Sequence, residues 1–102
     1  MPDLIDLHRE EVVTLCHRTH ARRLDLFGSA VRDDFDPAHS DLDFLVEFDD
    51  VPPVAYADAF FDLKEGLESL FQRPVDLITT SSLANPYFRD RILAERRPVY
   101  AR

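Results

Sequence analysis

Apolar positions recur along this chain with two different periods, and the changes between them mark out its elements. In residues 3–20, Leu4, Leu7, Val12 and Leu15, with Ile5 and Cys16, fall at helical spacing and predict a helix. "RRLDLF" (22–27) reads as a short strand ending at Gly28, and residues 29–34 as one or two helical turns before the loop "DFDPAHS". In the segment "DLDFLVEF" (41–48), Leu42, Phe44, Val46 and Phe48 point to one side, and Asp41, Asp43, Leu45 and Glu47 to the other. After the turn "DDVPP", Pro52-Pro53 opens a long helix to about Phe71, whose Tyr56, Phe60, Leu63, Leu67 and Leu70 form one amphipathic stripe. "PVDLITT" (74–80) is a third strand, with Asp76 and Ile78 on the side opposite Val75 and Leu77. Asn85 as cap and Pro86 as first helical residue start a last helix, which is expected to run to about Arg97 and stop at Pro98.

The order helix, strand, strand, helix, strand, helix implies an α/β (α+β) fold, a small mixed β-sheet with helices packed on one face. The other face is left partly open, and the carboxylates of the second and third strands project from it. No repeat, low-complexity segment or long linker divides the chain, so residues 1–102 are expected to form one domain.

Composition narrows the functional classes. The apolar fraction of 45% and the eight Phe suit a folded core. No apolar run approaches the ~20 residues of a membrane span, and "MPDLIDLHRE" lacks the pattern of a signal peptide. One cysteine, Cys16, allows no internal disulfide and suits a reducing cytoplasm; its place in a helical apolar pattern reads as packing. The net charge of −8 is a poor footprint for direct nucleic-acid binding. It is compatible with a nucleotide that arrives with a metal ion.

The chemistry concentrates in "FGSAVRDDFDPAHSDLDFLV" (27–46). Asp41 and Asp43, at i and i+2 of one strand, emerge on one face and repel unless a cation or protons intervene. A hard dication resolves that conflict, because Mg²⁺ prefers carboxylate oxygens and keeps positions open for phosphate and water. Asp76, from the neighbouring strand, supplies a third ligand. Three carboxylates could hold two ions ~3.5–4 Å apart, the arrangement that clamps attacking and leaving oxygens in phosphoryl chemistry. Gly28, without a Cβ, lets a phosphate approach the backbone, and Ser29 offers a hydroxyl and a backbone N–H. Arg32 could add a fixed positive charge for a polyphosphate, or pair with Asp33, Asp34 or Asp36. A Gly-Ser pair or an Asp-x-Asp alone is a weak signal; the two on consecutive strands, with a further Asp in a third, are a strong one.

On these residues, "LFGSAVRDD", "SDLDFLVEF" and "VDLIT" resemble the minimal nucleotidyltransferases of the DNA polymerase β superfamily, in particular the antitoxin members paired with helical HEPN-domain toxins. The similarity spans nearly the whole chain, including "NPYFRDRIL". It implies that Asp41, Asp43 and Asp76 bind Mg²⁺, that Gly28 and Ser29 hold the nucleotide phosphates, and that Asp76 helps deprotonate the acceptor hydroxyl. It also implies a polymerase-β-like nucleotidyltransferase fold, ATP as co-substrate, and a hetero-oligomer with a HEPN toxin. The activity implied is transfer of AMP to a tyrosine of that toxin. The eleven residues between Ser29 and Asp41 are about one more than the form typical of these antitoxins, an addition expected to be absorbed in the loop.

Other readings compete with these. Asp41 beside Ser40 suits a turn or cap, but Asp76 between Val75 and Leu77 has no such account. Glu47 is expected to be solvated or salt-bridged, and His39 to lie at the surface. Arg89, Arg91, Arg96 and Arg97 read as a solvated face, and Tyr56, Tyr87 and Tyr100 as core or interface residues. At the level of function, the alternative is a catalytically silent antitoxin that neutralises its toxin by binding alone. Small-molecule nucleotidylation fits less well, because 102 residues leave no room for an added acceptor domain.

Overall fold

The computed structural model describes residues 3–32 and 41–102. The expectations for Asp33, Asp34, Asp36, His39 and Ser40, and for the added loop residue, lie outside the described residues. Two helices, α1 (Asp3–Leu7) and α2 (Arg9–Arg18), precede β1 (Ala21–Phe27), which runs into a 3₁₀ turn at Gly28–Val31. There follow β2 (Leu42–Phe48), α3 (Pro53–Phe71), β3 (Val75–Thr79), a 3₁₀ turn at Thr80–Ser82, α4 (Pro86–Glu95) and β4 (Arg97–Ala101).

The strand order is β3-β2-β1-β4. β1 pairs antiparallel with β2 and β4, and β2 pairs parallel with β3 through the α3 crossover. The expected mixed sheet is therefore present, with one strand more than the sequence pattern indicates. The last helix does not continue to Arg97. It ends at Glu95, and Arg97–Ala101 turns back along β1 as an edge strand. Pro98 lacks an N–H, which an edge strand tolerates, and the β1 register shifts between Leu24 and Asp25 where Pro98 pairs.

The helix expected over residues 3–20 is divided at His8, whose φ of −115° and ψ of 20° lie off helical values. Its N–H closes a tight turn on the Ile5 carbonyl at 3.3 Å, and its ring meets Phe71 edge-on. α4 starts as its sequence dictates: the Asn85 side chain accepts hydrogen bonds from Tyr87 N–H (2.9 Å) and Phe88 N–H (3.3 Å).

The strand periodicity sorts the side chains onto two faces. Leu24, Leu26, Leu42, Phe44, Val46, Val75 and Leu77 join Ile5, Val12, Cys16, Leu63 and Leu67 in the main core, so α1, α2 and α3 cover one face as expected. Gly66 lets α2 and α3 approach, since a Cβ there would stand 2.6 Å from a Leu15 methyl carbon. The opposite face is not left bare. Phe27, Leu45 and Ile78 meet Ile92 of α4 and Leu83 in a second, smaller cluster. That contact lays α4 beside the carboxylate end of the strands.

Candidate active site

The ends of three strands and one face of α4 converge on a single cleft. In the β2–β3 register Asp43 stands opposite Asp76, and in the β1–β2 register it stands opposite Phe27, the residue before Gly28. The cleft, about 250 Å³, is lined by Phe27, Gly28, Arg32, Asp43, Asp76 and, from α4, Phe88, Arg91, Ile92 and Glu95. A wider hollow of about 520 Å³ between α2 and α3 is lined by Glu10, Glu11, Thr14 and Arg18, away from the strand carboxylates. Size alone would favour that hollow; the concentration of charge and backbone specialisation favours the cleft.

Asp43 is half-buried at its centre, while Asp41 and Asp76 are exposed. Burial, followed by the charges of Asp76 and Asp41, pushes the Asp43 carboxyl up to about 6. Arg32 opposes that rise and Glu95 adds to it. The side chains at this point are thus in negative excess, the condition in which a hard cation is favoured. All three carboxylates act on one centre, but among the described residues no three such side chains are already drawn around a single point.

Gly28 follows β1 with φ of +74°, a left-handed conformation that glycine adopts without strain. Any Cβ there would stand 2.2 Å from Asp43 Oδ2, so the glycine also makes room for the central carboxylate. Its N–H donates to Glu95 Oε1 at 3.1 Å, and Glu95 Oε2 lies 3.9 Å from Arg32 Nη1. Ser29, the next residue, is partly exposed on the 3₁₀ turn.

The model of the nucleotidyltransferase domain matches residues 7–99. This chain is a member of that family. Within it, the chain is 36% identical over 80 residues to the protein adenylyltransferase MntA of Thermococcus cleftensis, covering 78% of this chain and 74% of that protein. It is 30% identical over 92 residues to a candidate protein adenylyltransferase of Methanocaldococcus jannaschii, covering 90% of each. A solved structure described as a candidate minimal nucleotidyltransferase superposes with a TM-score of 0.73 at 35% identity, over 94% of this chain and 93% of that one. A toxin–antitoxin complex with AMP-PNP matches in fold at a TM-score of 0.66 and 19% identity, over 92% of this chain and 73% of that one.

In this nucleotidyltransferase, several residues of the cleft have no counterpart among the sequence-based expectations. Glu95, Phe88 and Arg91 reach it only because Ile92 anchors α4 over Leu45 and Phe27, a long-range packing that no local pattern announces. Asp25 is another. It is 1% exposed on the carboxylate face, and Arg23 Nε donates to it at 2.9 Å and Arg96 Nη1 at 3.4 Å. Arg96 is therefore not part of a solvated face: it neutralises a buried acid, and Arg91 lines the cleft. Arg89 and Arg97 are exposed, as expected. Glu47 pairs with Arg22 at 2.5 Å, the expected salt bridge. Among the tyrosines, Tyr100 is buried and Tyr56 packs on Phe48, whereas Tyr87 is 87% exposed.

Proposed function

We propose that this nucleotidyltransferase transfers AMP from ATP to a tyrosine hydroxyl of a helical HEPN-type toxin and so acts as its antitoxin. The observation that carries the reading is the meeting of Asp43 and Asp76 across neighbouring strands, directly against the Gly28 turn. Relatives named protein adenylyltransferases over most of the chain support the transferred group, and neighbours of the same fold in toxin–antitoxin complexes support the partner.

Asp41, Asp43 and Asp76 would hold Mg²⁺, two ions in our reading, and Gly28, Ser29 and Arg32 would receive the phosphates. When bound, the metal would neutralise charge on the leaving pyrophosphate and lower the pKa of the acceptor hydroxyl. The hydroxyl oxygen attacks the α-phosphorus, its bond to the pyrophosphate oxygen breaks, and Asp76 takes the hydroxyl proton. Phe27, Ile92 and Phe88 give the cleft one apolar side against which the nucleotide would lie. The chain's own contribution is positioning and charge.

Cytoplasmic residence as one domain completes the reading. Among the described residues no helix is long and apolar enough to cross a membrane, and the buried Cys16 thiol, raised to about 12 by burial, is unreactive packing. The acidic balance argues for a protein acceptor over direct nucleic-acid binding.

The test is to incubate the chain with its helical, ribonuclease-like partner, ATP and Mg²⁺, and to record the intact mass of each protein. A gain of one or more AMP units on the partner, absent without Mg²⁺ and absent with Asp76→Asn, is the expected result. A stable complex with no gain on either chain would instead establish the silent-binding alternative.

A further inference from the structure

Glu95 is the last residue of α4, a position where a negative charge is disfavoured by the helix C-terminus. Its side chain nevertheless reaches the β1 turn, and the two oxygens of one carboxylate divide between two groups. One accepts the Gly28 N–H at 3.1 Å, and the other lies 3.9 Å from Arg32 Nη1. An anion thus already stands on the backbone donor and beside the guanidinium that the proposed function gives to the nucleotide phosphates.

We propose that Glu95 is an internal counter-ligand: it holds the Gly28 N–H and pairs at longer range with Arg32, and the polyphosphate of the incoming metal–nucleotide must displace it from both. This inference rests on the nucleotide reading of the cleft. Ile92, 1% exposed, fixes α4 one turn earlier, so the exchange needs only the Glu95 side chain to swing outward. Glu95 is then a positioning residue that sets affinity. A triphosphate carrying its own cation brings enough charge compensation to evict it; orthophosphate does not.

The test is the dissociation constant of a non-hydrolysable ATP analogue with Mg²⁺, by calorimetry, for the wild type and Glu95→Gln, which keeps the shape and removes the charge. Removal of one like charge beside the phosphates is expected to tighten binding by about tenfold. The chain has two glycines, so ¹⁵N-glycine labelling gives a second, variant-free readout. In the wild type the Gly28 amide resonance should move on saturation with the analogue as its carboxylate partner is exchanged, while that of Gly66 stays in place. Equal or weaker binding by Glu95→Gln, or a Gly28 resonance that ignores bound analogue, overturns the role of Glu95 and leaves the nucleotide reading intact. No binding by either protein overturns both.

Discussion

The two faces of the sheet are built from alternate residues of the same strands and follow opposite rules. On one, Leu24, Leu26, Leu42, Phe44 and Val46 are fully buried against α2 and α3. On the other, the intervening positions hold Asp25, Asp43 and Asp76, with a smaller apolar cluster around Ile92. The acids of the second face are themselves treated differently. Asp25 is buried and answered by two arginines, whereas Asp43 gathers like charges. A carboxylate with cationic partners is explained by the fold; one held among other carboxylates is explained, in the function proposed, by what the cleft binds. The first face stabilises the protein, and the second holds a cost that, in the function proposed, a metal–nucleotide would relieve.

The largest expected effect lies on the core face. Phe44→Ala removes a fully buried ring stacked on Phe71 and should cost about 3–5 kcal/mol in denaturant unfolding. A loss under about 1 kcal/mol would show that the core lies elsewhere. Next, Asp43→Asn should lower AMP transfer by about a hundredfold or more, as loss of a charge-stabilising group does, without weakening the fold. Transfer at wild-type rate would remove Asp43 from the site.

Gly28→Ala joins the two faces' concerns. It forces a Cβ into the left-handed region and against Asp43, so about 1–2 kcal/mol of stability and most nucleotide affinity should be lost together. Retention of both would mean that the turn adapts freely.

The smallest effect is on pH dependence. The Asp43 carboxyl is raised from 3.8 to about 6, so the ligand-free folded state binds its proton more tightly than the unfolded chain does. Its contribution is therefore fully present below about pH 4 and lost as the pH rises through about 6. At this half-open position, screening leaves a difference on the order of 1 kcal/mol. Asp43→Asn should flatten that segment of the stability–pH profile; an unchanged profile would assign it to another group.

Much of this was legible in the chain. The alternation in residues 41–48 separates Phe44 from Asp43 without any structure, and Asn85-Pro86 marks the start of α4 to the residue. β4 was not legible because "RPVYA" is short, carries a proline and borrows its strand geometry from β1. The split at His8 likewise depends on a ring from α3. Of the residues that line the cleft, those near one another in sequence or on paired strands could be proposed, namely Gly28, Arg32, Asp43 and Asp76; Ser29 and Asp41, proposed with them, are not among its lining. Glu95, Phe88 and Arg91 could not, since their arrival depends on where Ile92 docks, and Asp25 in "RRLDLF" looked like any strand acid. Local pattern carries the chemistry of each strand; it does not carry the helix that closes over it.

In the function proposed, Asp43 is costly to the protein alone and necessary once metal and nucleotide are bound. Thermal unfolding of the wild type and Asp43→Asn at pH 7, each with and without Mg²⁺ and ATP, tests both halves at once. Asp43→Asn is expected to melt at or above the wild type without ligand, and Mg²⁺ with ATP is expected to raise the melting temperature of the wild type alone. An empty variant that melts lower, or one that gains as much from Mg²⁺ and ATP as the wild type, would contradict it.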